Sequence, residues 1–277
     1  MTDSSSTLLP MTVIGGGNMA QALLSGWLKQ GLPATALHVV EPQADTRLHL
    51  QKTTGVHCHE NAADAPTDTQ LVVWAIKPQV FKEVASPLAH RFSQALHLSV
   101  AAGVRSDSIA RWLGTERVVR VMPNTPALVG LGQSGLFARA QVSSKERDQV
   151  QQLMQAVGES VWTETEEQLD AVTALSGSGP AYVFFFIEAM TQAGMEMGLP
   201  AAQAQQLAIG TFVGASELAR SSNESPAVLR ERVTSKGGTT FAAISSMQQD
   251  NVSGLINKAL AAARQRSEEL GNVLDQA

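Results

Sequence analysis

Met11-Thr-Val-Ile-Gly-Gly-Gly-Asn-Met-Ala20 is the stretch on which the fold of the first half of this chain turns. Met11 to Ile14 reads as a short strand. Asn18 to Gln30 has a helical pattern and stops at Gly31 and Pro33. The turn between them fits G-x-G-x-x-G/A. Gly15 makes the tight bend, Gly17 lets the backbone approach a pyrophosphate, and Ala20 lets the helix pack closely on the strand. The start of the helix then offers free N–H groups and the positive end of a dipole to phosphates. Such a turn alone also fits other α/β proteins. Placed after a first strand and before further strand–helix units, it reads as a dinucleotide site.

Those further units follow. Leu37 to Val40, Gly55 to Cys58, Leu96 to Val100, Val118 to Met122 and Ser134 to Ala138 read as strands, most of them separated by helical segments. Leu71-Val-Val-Trp-Ala-Ile76 is unbroken apolar sequence, as a strand buried on both faces of a parallel sheet requires. This alternation predicts a Rossmann-type doubly wound sheet. After about Thr163 the strand signal stops. Helical patterns start at Pro180, Ala201, Pro226, Thr239 and Val252. The expected fold class is α/β, with a dinucleotide-binding domain over residues 1–166 and an all-α domain over 167–277. Residues 1–9 are expected to be a flexible tail. Gly179-Pro180 opens a helix with Tyr182, Val183, Phe184, Phe185, Phe186 and Ile187 on every face. A helix apolar all round is buried all round. A domain of about 110 residues encloses few of these alone, so a second copy of the chain is the expected cover.

Composition excludes several classes. Of the 277 residues, 44% are hydrophobic and 16% charged, which is globular rather than disordered. A net charge of -5 leaves no electrostatic footprint for nucleic acid, and no block of Lys or Arg suits an anionic membrane. The single cysteine, Cys58, precludes an intramolecular disulfide and suits a reducing cytoplasm. Met1 to Leu9 lacks the basic and apolar regions of a signal peptide. The apolar run Ala181–Ile187 is too short to span a bilayer. All six histidines lie between His38 and His97. His57 and His59 share one face of a strand with no evident further ligand, so no metal is expected.

Polar residues gather where strands end, which is where open α/β sheets bind ligands. Glu41 ends the second strand, where an acidic residue takes ribose hydroxyls; a solvated strand end accounts for it equally well. Arg47 could reach a 2′-phosphate but reads as a surface helix residue, leaving the choice between NADPH and NADH open. Lys77-Pro78 ends the fourth strand, Ser99-Val-Ala-Ala-Gly103 the fifth, and Val121-Met-Pro-Asn-Thr-Pro126 the sixth. Ser176-Gly-Ser-Gly-Pro180 and Thr234-Ser-Lys-Gly-Gly-Thr-Thr240 each precede a helix. Both read as flexible, hydroxyl-rich turns whose N–H groups, with hydroxyls such as that of Ser178, suit a carboxylate substrate. Each turn alone is also an ordinary helix cap with a glycine hinge.

VMPNTPALVG from Val121, LSGSGPAYVF from Leu175 and VTSKGGTT from Val233 resemble the signatures of the pyrroline-5-carboxylate reductase family. GGGNMA, IKPQ from Ile76 and SVAAG from Ser99 fit the same family, and the likeness covers nearly the whole chain. The resemblance implies reduction of a cyclic imine to L-proline by NADPH or NADH, and a helical dimerisation domain. It implies that Gly15, Gly17, Asn18, Met19 and Ala20 hold the pyrophosphate. Lys77, Pro78 and Ala101 would lie along the cofactor, with Asn124 and Thr125 near the nicotinamide. Ser235, Gly237, Gly238, Thr239 and Thr240 would hold the substrate carboxylate and ring nitrogen, and Thr240 is the expected hydroxyl partner of that nitrogen. The family usually has proline where this chain has Lys236, which restores an N–H, frees φ and adds a charge.

Two other readings remain at this point. A β-hydroxyacid dehydrogenase shares the two-domain plan but needs a catalytic lysine in its helical half, where only Lys236 and Lys258 stand, in the wrong context. A non-catalytic nucleotide sensor has no use for two further hydroxyl-rich helix starts.

Overall fold

The computed structural model describes residues 8–276. Eight strands form one sheet: β1 (Met11–Ile14), β2 (Leu37–Val40), β3 (His57–His59), β4 (Leu71–Trp74), β5 (Leu96–Ser99), β6 (Val118–Met122), β7 (Gly132–Ala138) and β8 (Gly158–Trp162). Their order is β3-β2-β1-β4-β5-β6-β7-β8. All neighbours are parallel except β6 and β7. The chain reverses its direction of sheet growth between β1 and β4, which opens a crevice at their carboxyl ends. The helices between the strands are α1 (Asn18–Lys29), α2 (Ala44–Thr54), α3 (Phe81–Ala85), α4 (Ser106–Leu113) and α5 (Ser144–Met154). Then follow α6 (Gln168–Val172), α7 (Gly179–Glu196), α8 (Ala201–Ser221), α9 (Pro226–Arg232), α10 (Thr239–Gln249) and α11 (Val252–Gln276). Among the described residues no helix is long and apolar enough to cross a membrane.

Two buried clusters flank the sheet. Val13, Leu23, Trp27, Leu71, Leu98 and Leu136 belong to one. Trp74, Phe81, Phe92, Val72 and Ile109 belong to the other. The strands β1, β4 and β5 are buried at every position, so their sequences are mostly apolar on both faces, with Thr12, His97 and Ser99 as the buried polar exceptions.

The flexible tail expected over residues 1–9 falls mostly outside the described residues. Residues 1–7 lie outside the described part, but Leu8 is in the first core cluster and Leu9 packs on it. Strand β8 is absent from the sequence reading, because its burial alternates between partly buried and exposed and Glu159 interrupts its apolar pattern. Compactness also divides the chain differently from a cut at 166. One unit runs to Ser178 and takes in the chain again from Ala263; the other is Gly179–Ala262. Helix α6 stays with the sheet because Leu169 and Val172 crowd Gly135 of β7. The end of α11 stays there because Leu274 packs on the second core cluster. An ionic network reinforces both: Arg105 donates to Asp170 at 2.8 Å, Ser267 donates to the other Asp170 oxygen at 2.6 Å, and the buried Arg120 donates to Glu166 at 2.6 Å.

Candidate active site: a nucleotide cleft and two helix starts

Gly15 follows β1 with φ +99°, and a Cβ there would stand 2.5 Å from the Ala75 carbonyl oxygen. Only glycine fits this bend. At Gly17 a Cβ would meet nothing within 4 Å, so the backbone faces open space. Gly17 also caps α1 without any side-chain hydrogen bond, leaving the first-turn N–H groups unspent. An open approach, free donors and a positive helix end are together what could hold a pyrophosphate.

This loop borders a cavity of about 760 Å³ at the carboxyl ends of β1, β2 and β4. Gly15, Gly17, Asn18, Glu41 and Lys77 line it, together with Gln43, Thr46, Glu60 and Glu83. Ala20 is fully buried behind the loop, where it supports helix–strand packing rather than the cavity wall, and Met19 is half-buried against the same core. Pro78 opens a short 3-10 turn just after Lys77. Ala101 is buried beyond β5, its N–H bonded to the Ser99 hydroxyl.

Glu41 is held by backbone on both oxygens. The Gly16 N–H donates to Oε2 and the Gln43 N–H to Oε1, each at 2.9 Å. Arg47, expected at the surface, is instead mostly buried along its side chain. Its guanidinium donates to the carbonyls of Glu41 and Pro42 at 2.8 and 2.7 Å, and to the Glu60 carboxylate at 3.0 Å. Sequence reasoning missed Glu60, which stands just past the short edge strand β3. Its signal was position alone, a second acidic residue at a neighbouring strand end.

Asn124 departs from the expectation that it presents its amide to a ligand. It is buried, its Nδ2 donates to the Ser176 carbonyl at 3.0 Å, and its Oδ1 accepts from the Gln133 N–H at 2.8 Å. It therefore ties the loop after β6 to β7 and to the SGSGP segment. Thr125 is exposed at the start of the next 3-10 turn.

The SGSGP segment is not the open turn that its composition suggests. Thr173–Gly177 forms a π-helical turn that continues α6 almost directly into α7. The Ser178 N–H is spent on the Thr173 carbonyl at 2.8 Å, and the Ser176 hydroxyl on Val172. What Ser178 offers a ligand is its hydroxyl. Single-turn π segments cluster at functional sites.

The second helix start keeps its donors. Gly238 caps α10 without a side-chain bond, Gly237 has φ +75°, and the Gly238 N–H closes the turn onto the Ser235 carbonyl at 3.0 Å. Thr240 is half-buried in the first turn, and Ser235, Lys236 and Thr239 are exposed. Elsewhere, His38 Nδ1 lies 3.0 Å from His59 Nε2, with His57 stacked on the same face. Among the described residues no three His, Cys, Asp or Glu side chains are grouped to hold a metal.

A family model described as pyrroline-5-carboxylate reductase dimerisation matches residues 166–270, and one described as NADP oxidoreductase coenzyme F420-dependent matches residues 10–103. A pyrroline-5-carboxylate reductase of Pseudomonas aeruginosa is 46% identical over 95% of this chain and 97% of its own length. A solved pyrroline-5-carboxylate reductase from Coxiella burnetii superposes with a TM-score of 0.91 at 36% identity, covering 95% of this chain and 99% of that one. A pyrroline carboxylate reductase from Plasmodium falciparum, solved with NADP bound, superposes at 0.84 with 26% identity, over 95% of this chain and 98% of its own. With one relative 46% identical over almost its whole length, this chain belongs to the pyrroline-5-carboxylate reductase family.

Proposed function

We propose that this chain reduces 1-pyrroline-5-carboxylate to L-proline with NADPH or NADH, and that it does so in the cytoplasm as a homodimer. The observation that carries the cofactor half is the cradle at Gly15–Asn18, where free helix N–H groups and the bare Gly17 backbone face a cavity of about 760 Å³. Gly15, Gly17 and Asn18 would take the pyrophosphate, Glu41 the adenosine ribose, and Lys77 and Pro78 the flank of the cofactor. Met19, Ala20 and Ala101 support this wall from behind. Asn124 positions the SGSGP segment, and Thr125 is the group of that loop free to face the nicotinamide.

Bound dihydronicotinamide would supply a hydride to the imine carbon, which is the ring carbon doubly bonded to nitrogen and not the one that bears the carboxylate. With the imine already protonated as an iminium, the C=N bond becomes single and the nitrogen keeps that proton. The protein's own share is binding and orientation. The α10 start would hold the substrate carboxylate, with Ser235, Gly237, Gly238 and Thr239 around it; the Ser178 hydroxyl is a separate candidate for a substrate contact. The Thr240 hydroxyl would hydrogen-bond the ring nitrogen and fix which face of the imine carbon meets the donor. Homodimer formation is supported by α7 and α8, whose apolar side chains lie exposed in the single chain. We place part of each site on the partner copy. The single cysteine, Cys58, suits the reducing compartment.

Purified protein mixed with NADPH or NADH and 1-pyrroline-5-carboxylate should lose the absorbance of the reduced cofactor. It should show no turnover with 3-hydroxy acids run in reverse. Absence of turnover with both cofactors would refute this function.

A further inference from the structure

We propose that Glu41 and Glu60 make the adenosine end of the cleft select against a 2′-phosphate, so that this chain prefers NADH to NADPH. The proposal rests on the reading of the cleft as a dinucleotide site. Three features of the site carry it.

First, the Glu41 carboxylate cannot swing aside cheaply. The Gly16 and Gln43 N–H groups each hold one of its oxygens at 2.9 Å. A carboxylate has about four acceptor positions, so two remain for ribose hydroxyls, which are donors. A 2′-phosphate has no hydrogen to offer in its dianionic form and would meet a fixed like charge. Second, Arg47, the cation best placed by sequence to serve such a phosphate, is committed. It spends donors on the Glu41 and Pro42 carbonyls and on Glu60, and its side chain is only 18% exposed. Turning it to a phosphate would break three hydrogen bonds and leave Glu60 uncompensated beside the same ligand. Third, the cavity wall carries Glu41, Glu60 and Glu83 against one cationic side chain, Lys77. Lys77 follows β4, two strands from β2, which is about 10 Å at the usual strand spacing. The field at the ribose end is therefore set by carboxylates.

The test is binding without substrate, by calorimetric titration of the full-length protein with NADH and NADPH, and with AMP and 2′,5′-ADP as fragments. The expected result is NADH tighter than NADPH by about tenfold or more, with the same order for the fragments. Glu41→Gln keeps an oxygen to accept from Gly16 but removes the charge, and should tighten NADPH and shrink the ratio. Arg47→Ala should leave NADPH no weaker relative to NADH. Equal or tighter binding of NADPH by the unaltered protein would overturn the proposal. So would a ratio unmoved in Glu41→Gln, or a selective loss of NADPH affinity in Arg47→Ala, which would make Arg47 a phosphate ligand. Failure to bind either nucleotide would refute the cleft reading itself, a result distinct from binding both with the opposite preference.

Discussion

Trp27, Trp74, Phe81 and Phe92 of the sheet unit are all but inaccessible, whereas Phe184 and Phe185 of the helical unit are 65% and 67% exposed. The two units differ in this way in their interiors, although the sheet unit also exposes Leu128, Val129 and Leu131. The sheet unit holds both core clusters, with apolar side chains from strands and helices enclosed on all sides. In the helical unit, Ala204 and Ala208 are the only buried apolar side chains among the described residues, and Ala204 sits where α8 packs close against Gly194 of α7. Phe186 and Phe212 meet across that pair with ring centroids 6.4 Å apart, yet Leu207, Val213, Leu218 and Leu255 remain open. One unit is a finished domain. The other leaves a broad apolar face uncovered in the single chain, as the family's dimerisation domain would.

The sharpest way to break this comparison is to charge the open face. Phe185→Glu should abolish most dimer and most activity together, because each large apolar side chain lost from an interface core forfeits about 1.5–3 kcal/mol before the buried charge is counted. Cofactor titration should persist, since the sheet unit has its own core. Sedimentation alongside the titration checks both, and loss of nucleotide binding would show that the units are not independent.

The opposite perturbation lies within the sheet unit. Asp170→Ala leaves the Arg105 guanidinium and the Ser267 hydroxyl without their shared carboxylate. Removing one partner of a buried pair costs about 3–5 kcal/mol. Denaturant melting should show that loss, with dimer content little changed at low denaturant.

A smaller effect distinguishes the units by pH. Burial is the main cause that lowers the pKa of His97, to about 4. Trp74 Nε1 donates to its Nδ1 at 3.1 Å, so the ring is neutral with its proton on Nε2, facing the Phe92 carbonyl. Above pH 6.5 both the folded and the unfolded states hold it neutral. As pH falls from 6.5 towards 4 the unfolded chain takes up a proton that the native state refuses, so stability falls with pH, by up to about 3 kcal/mol. His97→Gln should flatten this acid limb in melting curves taken across that window. An unchanged limb would assign it to other groups.

The mildest change touches chemistry alone. Thr240→Val keeps the shape of the α10 start and removes one hydroxyl. It should reduce kcat/KM by the equivalent of about 1–3 kcal/mol while leaving melting and dimer content alone. Unchanged kinetics would move the contact to Ser235.

The sheet unit was the more legible in sequence for the same reason that it is complete. Its strands are buried on both faces, so Met11–Ile14, Leu37–Val40 and Val118–Met122 stand out as apolar runs with the bounds they have in the structure. Strand β8 lies at the sheet edge, where one-sided burial weakens the pattern. In the helical unit the helix starts were readable from Gly-Pro and Gly-Thr boundaries, but the π-turn before α7 was not. Glycine and serine composition signals an open turn, while the Asn124 clamp on Ser176, which accompanies the i→i−5 bond of Ser178 to Thr173, comes from a residue 52 positions away in sequence. The same holds for the cleft. Glu41 was visible as a strand-end carboxylate, whereas the commitment of Arg47 to Glu60 joins two elements that only the sheet brings together.

Light scattering combined with turnover over a dilution series of the unaltered protein tests the central claim most directly. If the helical unit is half of a core and the partner completes each site, specific activity should fall in step with dimer fraction as the protein is diluted. A monomer that retains full specific activity would contradict the account.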